Sequence, residues 1–513
     1  MNGLARRTGE LYGQSEHVLG RSWPLWVVAL VFYAGAAFVV LTRVRLPTPL
    51  HLVVFLMAAV ILLLTLIRVE WAVMALALMI PFARPGFTLG SAKAFHVSGF
   101  NVAVAGVWIV YTFRYLLERG SAGRGPFIRR TPLDLLIGAF VFLVAASTFV
   151  GLSNMQDPFG RGAILLTLKE TLFYFAWLYL VCTLIRNPVD LRRFAICFAM
   201  SGVLVAVLGL AARMQSAAIS LGVSEAEVEG GVVGGRTEGG WFGLIHPNLF
   251  GAFLAVSMPL CFFAVDHLRR ALHRALINAA TLAGFVGLLF TYSRSAWIGI
   301  LAGLASQAAL HRPTLRRMAQ FAVLFAVVAQ VLALVTTGHG FVDLIQIRFE
   351  QLQRSGYSMR PMIFASSLQV MRRSPLVGVG GGAFSRYSAE AWEGQPLAHA
   401  HNVLMTFACE FGIPAAAVYT LLLVVVIVIA SRNVKRLVRV PGYGFLAQGS
   451  LAGLIAVYML AQFEHVFFSR DVGYAFYGVV AIVLVLERLY NEGALPPRAD
   501  GAGEEKPGPW RGA

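Results

Sequence analysis

The chain has 513 residues, of which 58% are hydrophobic and 13% are charged. Soluble domains carry charge on about a quarter of their residues, so a mean hydropathy of +0.72 excludes an ordinary soluble protein. The formal net charge is +17, and the arginines lie in short clusters between apolar runs. This pattern indicates topology signals of a membrane protein rather than a nucleic-acid-binding surface.

Apolar runs long enough to cross a bilayer recur along the whole chain. A hydrocarbon core about 30 Å thick needs roughly 20 residues of helix. The pattern predicts an all-α, polytopic membrane protein with about 12–14 transmembrane helices and a helical loop region on the outer side. In chain order the candidate segments are 24–42, 50–67, 70–83, 99–117, 133–151, 164–185, 191–212, 242–265, 274–292, 294–310, 316–336, 400–430, 444–466 and 471–488.

Positively charged residues concentrate in alternate connections between these segments. Short connections rich in Lys and Arg are held in the cytoplasm, and the alternation places both termini there. The clusters are Arg114, Arg119, Arg124, Arg129 and Arg130; Arg186, Arg192 and Arg193; Arg269, Arg270 and Arg274; Arg312, Arg316 and Arg317; and Arg432, Lys435, Arg436 and Arg439. The predicted parts are a cytoplasmic N-terminal tail 1–23, transmembrane helices 24–212, transmembrane helices with the Arg236 and Arg294 motifs 213–336, a large outer loop 337–399, C-terminal transmembrane helices 400–488, and a disordered cytoplasmic tail 489–513.

Two connections on the outer side are too long to be turns, at about 213–241 and 337–399. Within the second, 341–355 and 358–373 mix apolar residues with Arg at helical spacing, which predicts short amphipathic helices at the membrane interface. The glycine-rich run 378–383 formally matches a dinucleotide fingerprint, but no predicted strand precedes it. We interpret its glycines as a tight turn after the amphipathic helix.

Polar residues gather at the outer ends of predicted helices, where ionisable groups are costly enough to indicate function. The candidates are Arg236 with His246-Pro247-Asn248; Arg294 within Thr291–Trp297; His399-Ala400-His401-Asn402, with Glu410 and Gly412 further along the same predicted helix; and Lys169, beside Glu170 in the sixth segment.

These clusters, in this order and separation, resemble the O-antigen ligase and polymerase superfamily of bacterial envelope glycosyltransferases over roughly residues 230–430. The most specific element is His401-Asn402, followed after nine residues by Gly412, which resembles the family's catalytic histidine motif. Supporting elements are His246-Pro247-Asn248, Ser293-Arg294 and the segment from Arg360 to Gly380. The resemblance implies a GT-C-like membrane fold and a metal-independent, inverting transfer, in which an arginine pair binds a pyrophosphate and the histidine assists attack on the anomeric carbon.

The residue types fit such a transfer on their own chemistry. A glycan on a polyprenyl pyrophosphate has a diphosphate leaving group, so the enzyme must neutralise developing negative charge and remove a proton from the acceptor hydroxyl. Arg236 and Arg294 suit the first task, because guanidinium donates bidentately to phosphate and stays charged. His401 suits the second, because an imidazole pKa of about 6.5 leaves a neutral base available at neutral pH.

His401, Arg294 and Arg236 are therefore the predicted catalytic residues. Residues predicted to contact substrate are His399, Asn402, His246, Asn248, Arg360, Glu410 and Lys169. The sequence contains no Asp-x-Asp, and neither a metal nor another cofactor is predicted.

Plainer interpretations of several candidates stay open. Arg294 can be a helix-end arginine that snorkels to the interface, and Arg236 a solvated loop charge. His401 can simply bond a neighbouring helix, and Asn248 can be a helix cap. Lys169 and Glu170 can form a self-neutralising pair, and the Glu464-His465 pair calls for the same caution.

The predicted function is transfer of a polyprenyl-pyrophosphate-linked glycan to a hydroxyl of a glycan or glycolipid. The predicted location is the bacterial inner membrane, with the site facing the periplasm and no nucleic acid as partner. A ligase that acts on the lipid A core is slightly favoured, because the family's motif is best known from ligases. The first alternative is an O-antigen or exopolysaccharide polymerase.

A transporter or flippase for lipid-linked sugars is the rival from another class. It should carry charged residues through the membrane midplane on helices of both halves, whereas here they gather at the outer ends of the C-terminal half. The asymmetry favours an enzyme.

Overall fold

The protein is described by a computed structural model. The described residues are 49–83, 86–88, 96–117, 126–220, 247–265, 271–291, 293–311, 313–337, 340, 342–343, 346, 360–391, 399–440, 442–467 and 469–495. The first predicted segment, 24–42, lies outside these ranges.

Long helices dominate these ranges. They are α1 Pro49–Ile67, α2 Val69–Met79, α3 Gly99–Leu117, α4 Asp134–Asn154, α5 Pro158–Leu184, α6 Pro188–Ser220, α7 Pro247–Ala264, α8 Ala271–Phe290, α9 Arg294–Leu310, α10 Pro313–Thr337, α11 Arg360–Arg373, α12 Phe384–Ala391, α13 Val403–Phe411, α14 Ile413–Leu437, α15 Gly444–Ala461 and α16 Arg470–Asn491. A 3₁₀ turn, Ile80–Phe82, follows α2, and strands β1 Gly86–Thr88 and β2 His96–Ser98 form an antiparallel hairpin before α3. The hairpin was not predicted.

Eight of the described helices contain a segment long and apolar enough to cross a membrane. They are α3, α4, α5, α8, α10, α14, α15 and α16. This confirms the prediction of an all-α, polytopic membrane protein.

Helices α15 and α16 form the centre of the bundle, with 83% and 89% of their apolar windows buried. Small residues let α9 approach α15 closely: a Cβ atom at Gly299 would collide with the carbonyl oxygen of Ala456, and one at Gly303 with that of Ala452. Residues later in α9 contact residues earlier in α15. The two helices are therefore antiparallel.

One long predicted helix is in fact two. The segment predicted at 400–430 covers α13 and most of α14, which meet at Gly412 with φ of 89°. Only glycine adopts this backbone at low cost, and helical hydrogen bonding stops there. The amphipathic helix predicted at 358–373 is confirmed as α11, whereas 341–355 lies mostly outside the described residues.

The bundle has two chemically different ends. The histidine end contains His399, His401, Glu464 and His465, around the start of α13 and the α15–α16 connection. The arginine end contains Arg129, Arg436 and Arg488, where α14 and α16 finish. The 22 residues of α16 run from one end to the other and separate them by about 33 Å, enough to cross a bilayer.

Candidate active site at the histidine end

Asn402 fixes the start of α13 and ties it to the turn after α15. Its Oδ1 accepts hydrogen bonds from the backbone N–H groups of Leu404 at 2.9 Å and Met405 at 3.0 Å, as an N-cap does. Its Nδ2 donates to the carbonyl oxygen of Gln462 at 3.1 Å. The amide predicted to contact substrate is thus engaged within the protein, and it positions its neighbour His401.

His401 has an unusual backbone. Its φ of 49° makes it the only residue other than glycine with positive φ in the described part of the chain. Such a conformation costs on the order of 1–3 kcal/mol and is concentrated at functional sites. It brings Nδ1 of His401 to 3.5 Å from Oε2 of Glu464, while 36% of the side chain stays exposed.

Glu464 bridges His401 and the start of α7. Its Oε1 accepts a hydrogen bond from Nδ2 of Asn248 at 2.7 Å, so that Oε2 faces His401. A carboxylate beside Nδ1 favours the proton on that nitrogen, which leaves Nε2 as the basic atom. The sequence interpretation of Asn248 as a simple cap is incomplete, because its amide holds this carboxylate.

Two further histidines lie against His401. The ring centroids of His399 and His401 are 4.9 Å apart, and those of His399 and His465 are 4.8 Å apart in a stacked arrangement. Burial lowers the pKa of His465 well below its ordinary value, and the neighbouring His399 and His401 lower it further. His465 is therefore neutral at neutral pH, with its Nδ1 3.3 Å from Oγ1 of Thr406.

The histidines are not arranged as a metal site. Within the described ranges no group of three His, Cys, Asp or Glu side chains has a geometry that would hold a metal ion. Ring stacking, and contact with one carboxylate, account for their arrangement.

Arg294 lies at the histidine end of the bundle, as the helix contacts show. It is the first residue of α9, and a Cβ atom at Gly299 would lie 3.4 Å from Cβ of Leu460, one residue before α15 ends. A Cβ atom at Gly251, in the first turns of α7, would lie 2.9 Å from Cβ of Ala296. The starts of α7 and α9 and the end of α15 therefore meet beside Glu464.

Arg360, the first residue of α11, reaches the same connection. Its guanidinium carbon lies 5.6 Å from the ring centroid of Phe463, a cation–π distance. Because Phe463 precedes Glu464, this contact brings a second exposed guanidinium group to the histidine end.

Glu410 is not part of this cluster. It lies two helical turns beyond Asn402, about 12 Å along α13, and is 4% exposed. Backbone N–H groups of Gly382 and Phe384 bond to its carboxyl group, while its Oε2 has no hydrogen-bond partner among the described residues. Burial raises the pKa of Glu410 to about 7.

The role of Glu410 follows from the turn it supports. A Cβ atom at Gly378, where φ is 70°, would collide with the carbonyl group of Glu410, and the backbone N–H of Gly380 donates to that carbonyl at 2.9 Å. The predicted tight turn is confirmed. The turn follows α11, which carries Arg360, and its backbone N–H groups donate to carbonyl groups at the end of α13.

Lys169 belongs to a separate ionic network. Its Nζ lies 3.1 Å from Oε1 of Glu170, and the same oxygen is 3.0 Å from Nε of Arg470 and 3.3 Å from Nδ2 of Asn101. The network links α3, α5 and α16 near the start of α16. It favours the interpretation of Lys169 and Glu170 as a self-neutralising pair.

Arg236 and His246 lie outside the described residues, and their roles stay predictions. Neither Glu464 nor His465 was predicted to act in the site. The sequence did show an ionisable pair at the outer end of a helix. It could not show that the pair contacts His401, because these residues are far apart in the chain.

Residues 279–420 match the family model described as O-Antigen ligase. The matched segment begins in α8 and ends in α14, so it includes Arg294, Arg360 and His401 but neither Asn248 nor Glu464. No curated protein matches the chain.

Proposed function

We propose that this chain, which carries the O-antigen ligase domain of the ligase and polymerase superfamily of glycosyltransferase-like enzymes, transfers a polyprenyl-pyrophosphate-linked glycan to an acceptor hydroxyl. The reaction takes place at the histidine end, on the periplasmic side of the bacterial inner membrane. The observation that carries the proposal is the series Asn248, Glu464 and His401 beside the start of α9, in which Asn248 donates to Glu464 at 2.7 Å and Glu464 lies 3.5 Å from His401.

His401 acts on the acceptor. Its Nε2 takes the proton of the acceptor hydroxyl as the oxygen forms a bond to the anomeric carbon of the donor, and Glu464 stabilises the resulting imidazolium. The separation of 3.5 Å is long for a strong hydrogen bond, as is common before substrate binds. The neutral His465 places no second positive charge beside the imidazolium.

Arg294 acts on the donor. As the anomeric carbon–oxygen bond breaks, the electron pair leaves with the polyprenyl pyrophosphate, and guanidinium groups stabilise the charge that develops on it. Arg236 is the predicted partner of Arg294. Attack from the face opposite the leaving group inverts the anomeric centre. The chain's own residues supply both the charge and the base, so no cofactor enters the step.

Arg360 suits a role in binding the glycan or its diphosphate. Arg360 lies above Phe463 at the start of α11, and the glycine turn at 378–382 that follows α11 is hydrogen-bonded to the end of α13. A shift of this turn would therefore move Arg360 relative to His401.

Deletion of the protein followed by analysis of surface glycans tests the proposal and identifies the acceptor. A ligase, which we favour, predicts that long lipid-linked chains accumulate while lipid A loses its polymer. Accumulation of single lipid-linked repeat units instead identifies a polymerase of the same superfamily. Unchanged glycan linkages, with donor confined to the inner leaflet, identify a flippase and contradict the proposal.

A further inference from the structure

A polar cavity lies at the arginine end, far from His401. Its volume is about 380 Å³, and its walls come from the α1–α2 junction, the end of α3 and the α5–α6 connection. Ile164, near the start of α5, contacts the glycine turn at 380, whereas Leu184 at the end of α5 lines the cavity. The 20 residues between them place the cavity about 30 Å from the turn.

The cavity wall is positively charged. It carries Arg68, Arg114, Arg186 and Arg193, against the carboxylates of Glu70 and Asp190. Asp190 is already engaged, since its Oδ2 accepts from Nδ2 of Asn187 at 2.6 Å and its Oδ1 lies 3.4 Å from Nη1 of Arg193. Guanidinium groups therefore outnumber carboxylates, and bidentate donation to a phosphate is the contact that they make best.

Apolar and aromatic surface adjoins this charge. Trp71 in the wall is 44% exposed, with the guanidinium carbon of Arg68 5.5 Å from its ring centroid, and Tyr115 lies across the cavity. Trp and Tyr are typical of the membrane–water interface. Ile67 in the wall and Leu117 at the end of α3 are 57% and 60% exposed, so the cavity adjoins a surface that faces lipid.

We propose that this cavity binds the headgroup of an anionic phospholipid from the leaflet opposite His401. The phosphate contacts the arginines, and the acyl chains lie along the exposed apolar surface of α1 and α3. A soluble phosphate would use only the arginines, and the adjoining apolar surface is what favours a lipid. Basic pockets between helix ends bind anionic headgroups in this way. This lipid binding does not depend on glycan transfer.

Native mass spectrometry of the full chain in detergent, titrated with dioleoyl phosphatidylglycerol or dioleoyl phosphatidylcholine, tests the proposal. We expect the anionic lipid to bind and the zwitterionic lipid to bind far more weakly. The double variant Arg68→Gln/Arg186→Gln should weaken binding of the anionic lipid about thirtyfold. Arg68→Lys/Arg186→Lys keeps the charge and should retain part of the affinity, and thermal unfolding verifies that each variant is folded.

Arg316→Gln/Arg432→Gln is the matched control, because it removes two exposed arginines at the same end of the bundle but outside the cavity. This control should keep the wild-type affinity. Equal binding of both lipids, or an equal loss in the control, would overturn the proposal. Glycerol phosphate that competes as strongly as the lipid would also overturn it, because the site would then bind a soluble anion.

Discussion

The two ends of the bundle use similar residue types in different ways. At the arginine end, two carboxylates pair with guanidinium groups. Glu492 lies 2.9 Å from Arg129 and 3.8 Å from Arg488, and Glu487 lies 3.0 Å from Arg436. At the histidine end, one carboxylate, Glu464, serves an amide and an imidazole from two other parts of the chain. The first arrangement suits anchoring and topology. The second holds a half-exposed base in one orientation, which is what proton transfer requires.

Loss of the base should have the largest effect. His401→Ala removes the imidazole and should lower the transfer rate about 10²–10⁴-fold, the usual contribution of a general base. Transfer between purified lipid-linked glycan and acceptor gives the rate, and a pull-down of labelled donor should show nearly unchanged binding. Wild-type product from this variant would remove His401 as the base.

Arg294→Lys keeps the charge but loses the bidentate fork, and should lower transfer about 10²-fold, as loss of a charge-stabilising donor does. Arg316→Lys at the other end of the bundle is the matched control and should behave as wild type. Equal rates for both variants would contradict phosphate binding by Arg294.

Glu464→Gln tests whether the carboxylate orients and stabilises the imidazole. Residues that act through a catalytic group typically contribute about 10–100-fold, so we expect a loss in that range in the rate at saturating substrate, with the Michaelis constants little changed. Glu487→Gln removes a paired carboxylate at the arginine end and should leave transfer intact. A loss confined to the Michaelis constants would instead indicate that Glu464 contacts substrate.

Glu410→Gln should alter how the free energy of unfolding depends on pH, and should affect the transfer rate less. The folded pKa of about 7 exceeds the ordinary glutamate value of 4.5, so the folded chain holds this proton more tightly than the unfolded chain. The stability from the protonated carboxyl is fully present below pH 4.5 and is lost as pH rises through 7, by about 3 kcal/mol in total. Glutamine mimics the protonated form, so the variant should gain stability over wild type between pH 5 and pH 8. A pH-independent difference in thermal unfolding would refute this.

The smallest effect is expected at the arginine end. Glu492→Gln breaks the ion pairs with Arg129 and Arg488. The side chains of Arg129 and Glu492 are 25% and 44% exposed. Exposed pairs contribute about 0–1 kcal/mol, so the free energy of unfolding should fall by no more than this. The transfer rate should be unaffected. A large loss of activity would show that the two ends are coupled.

The membrane helices were predictable because a bilayer imposes length and apolarity on each crossing, a local property of the sequence. The break between two helices at Gly412 was harder to predict, since a glycine within an apolar run can either continue a helix or end it. The contact between Glu464 and His401 had no local signal, because it depends on α15 returning beside α13. The neighbouring His399, His401 and Asn402 were found together only because they are adjacent in the chain.

The most direct measurement is the position of a bound polyprenyl-pyrophosphate glycan in an experimentally determined complex. We expect the diphosphate within hydrogen-bonding distance of Arg294, and the anomeric carbon beside Nε2 of His401. A diphosphate bound among the arginines at the opposite end, with the histidine end empty, would contradict it.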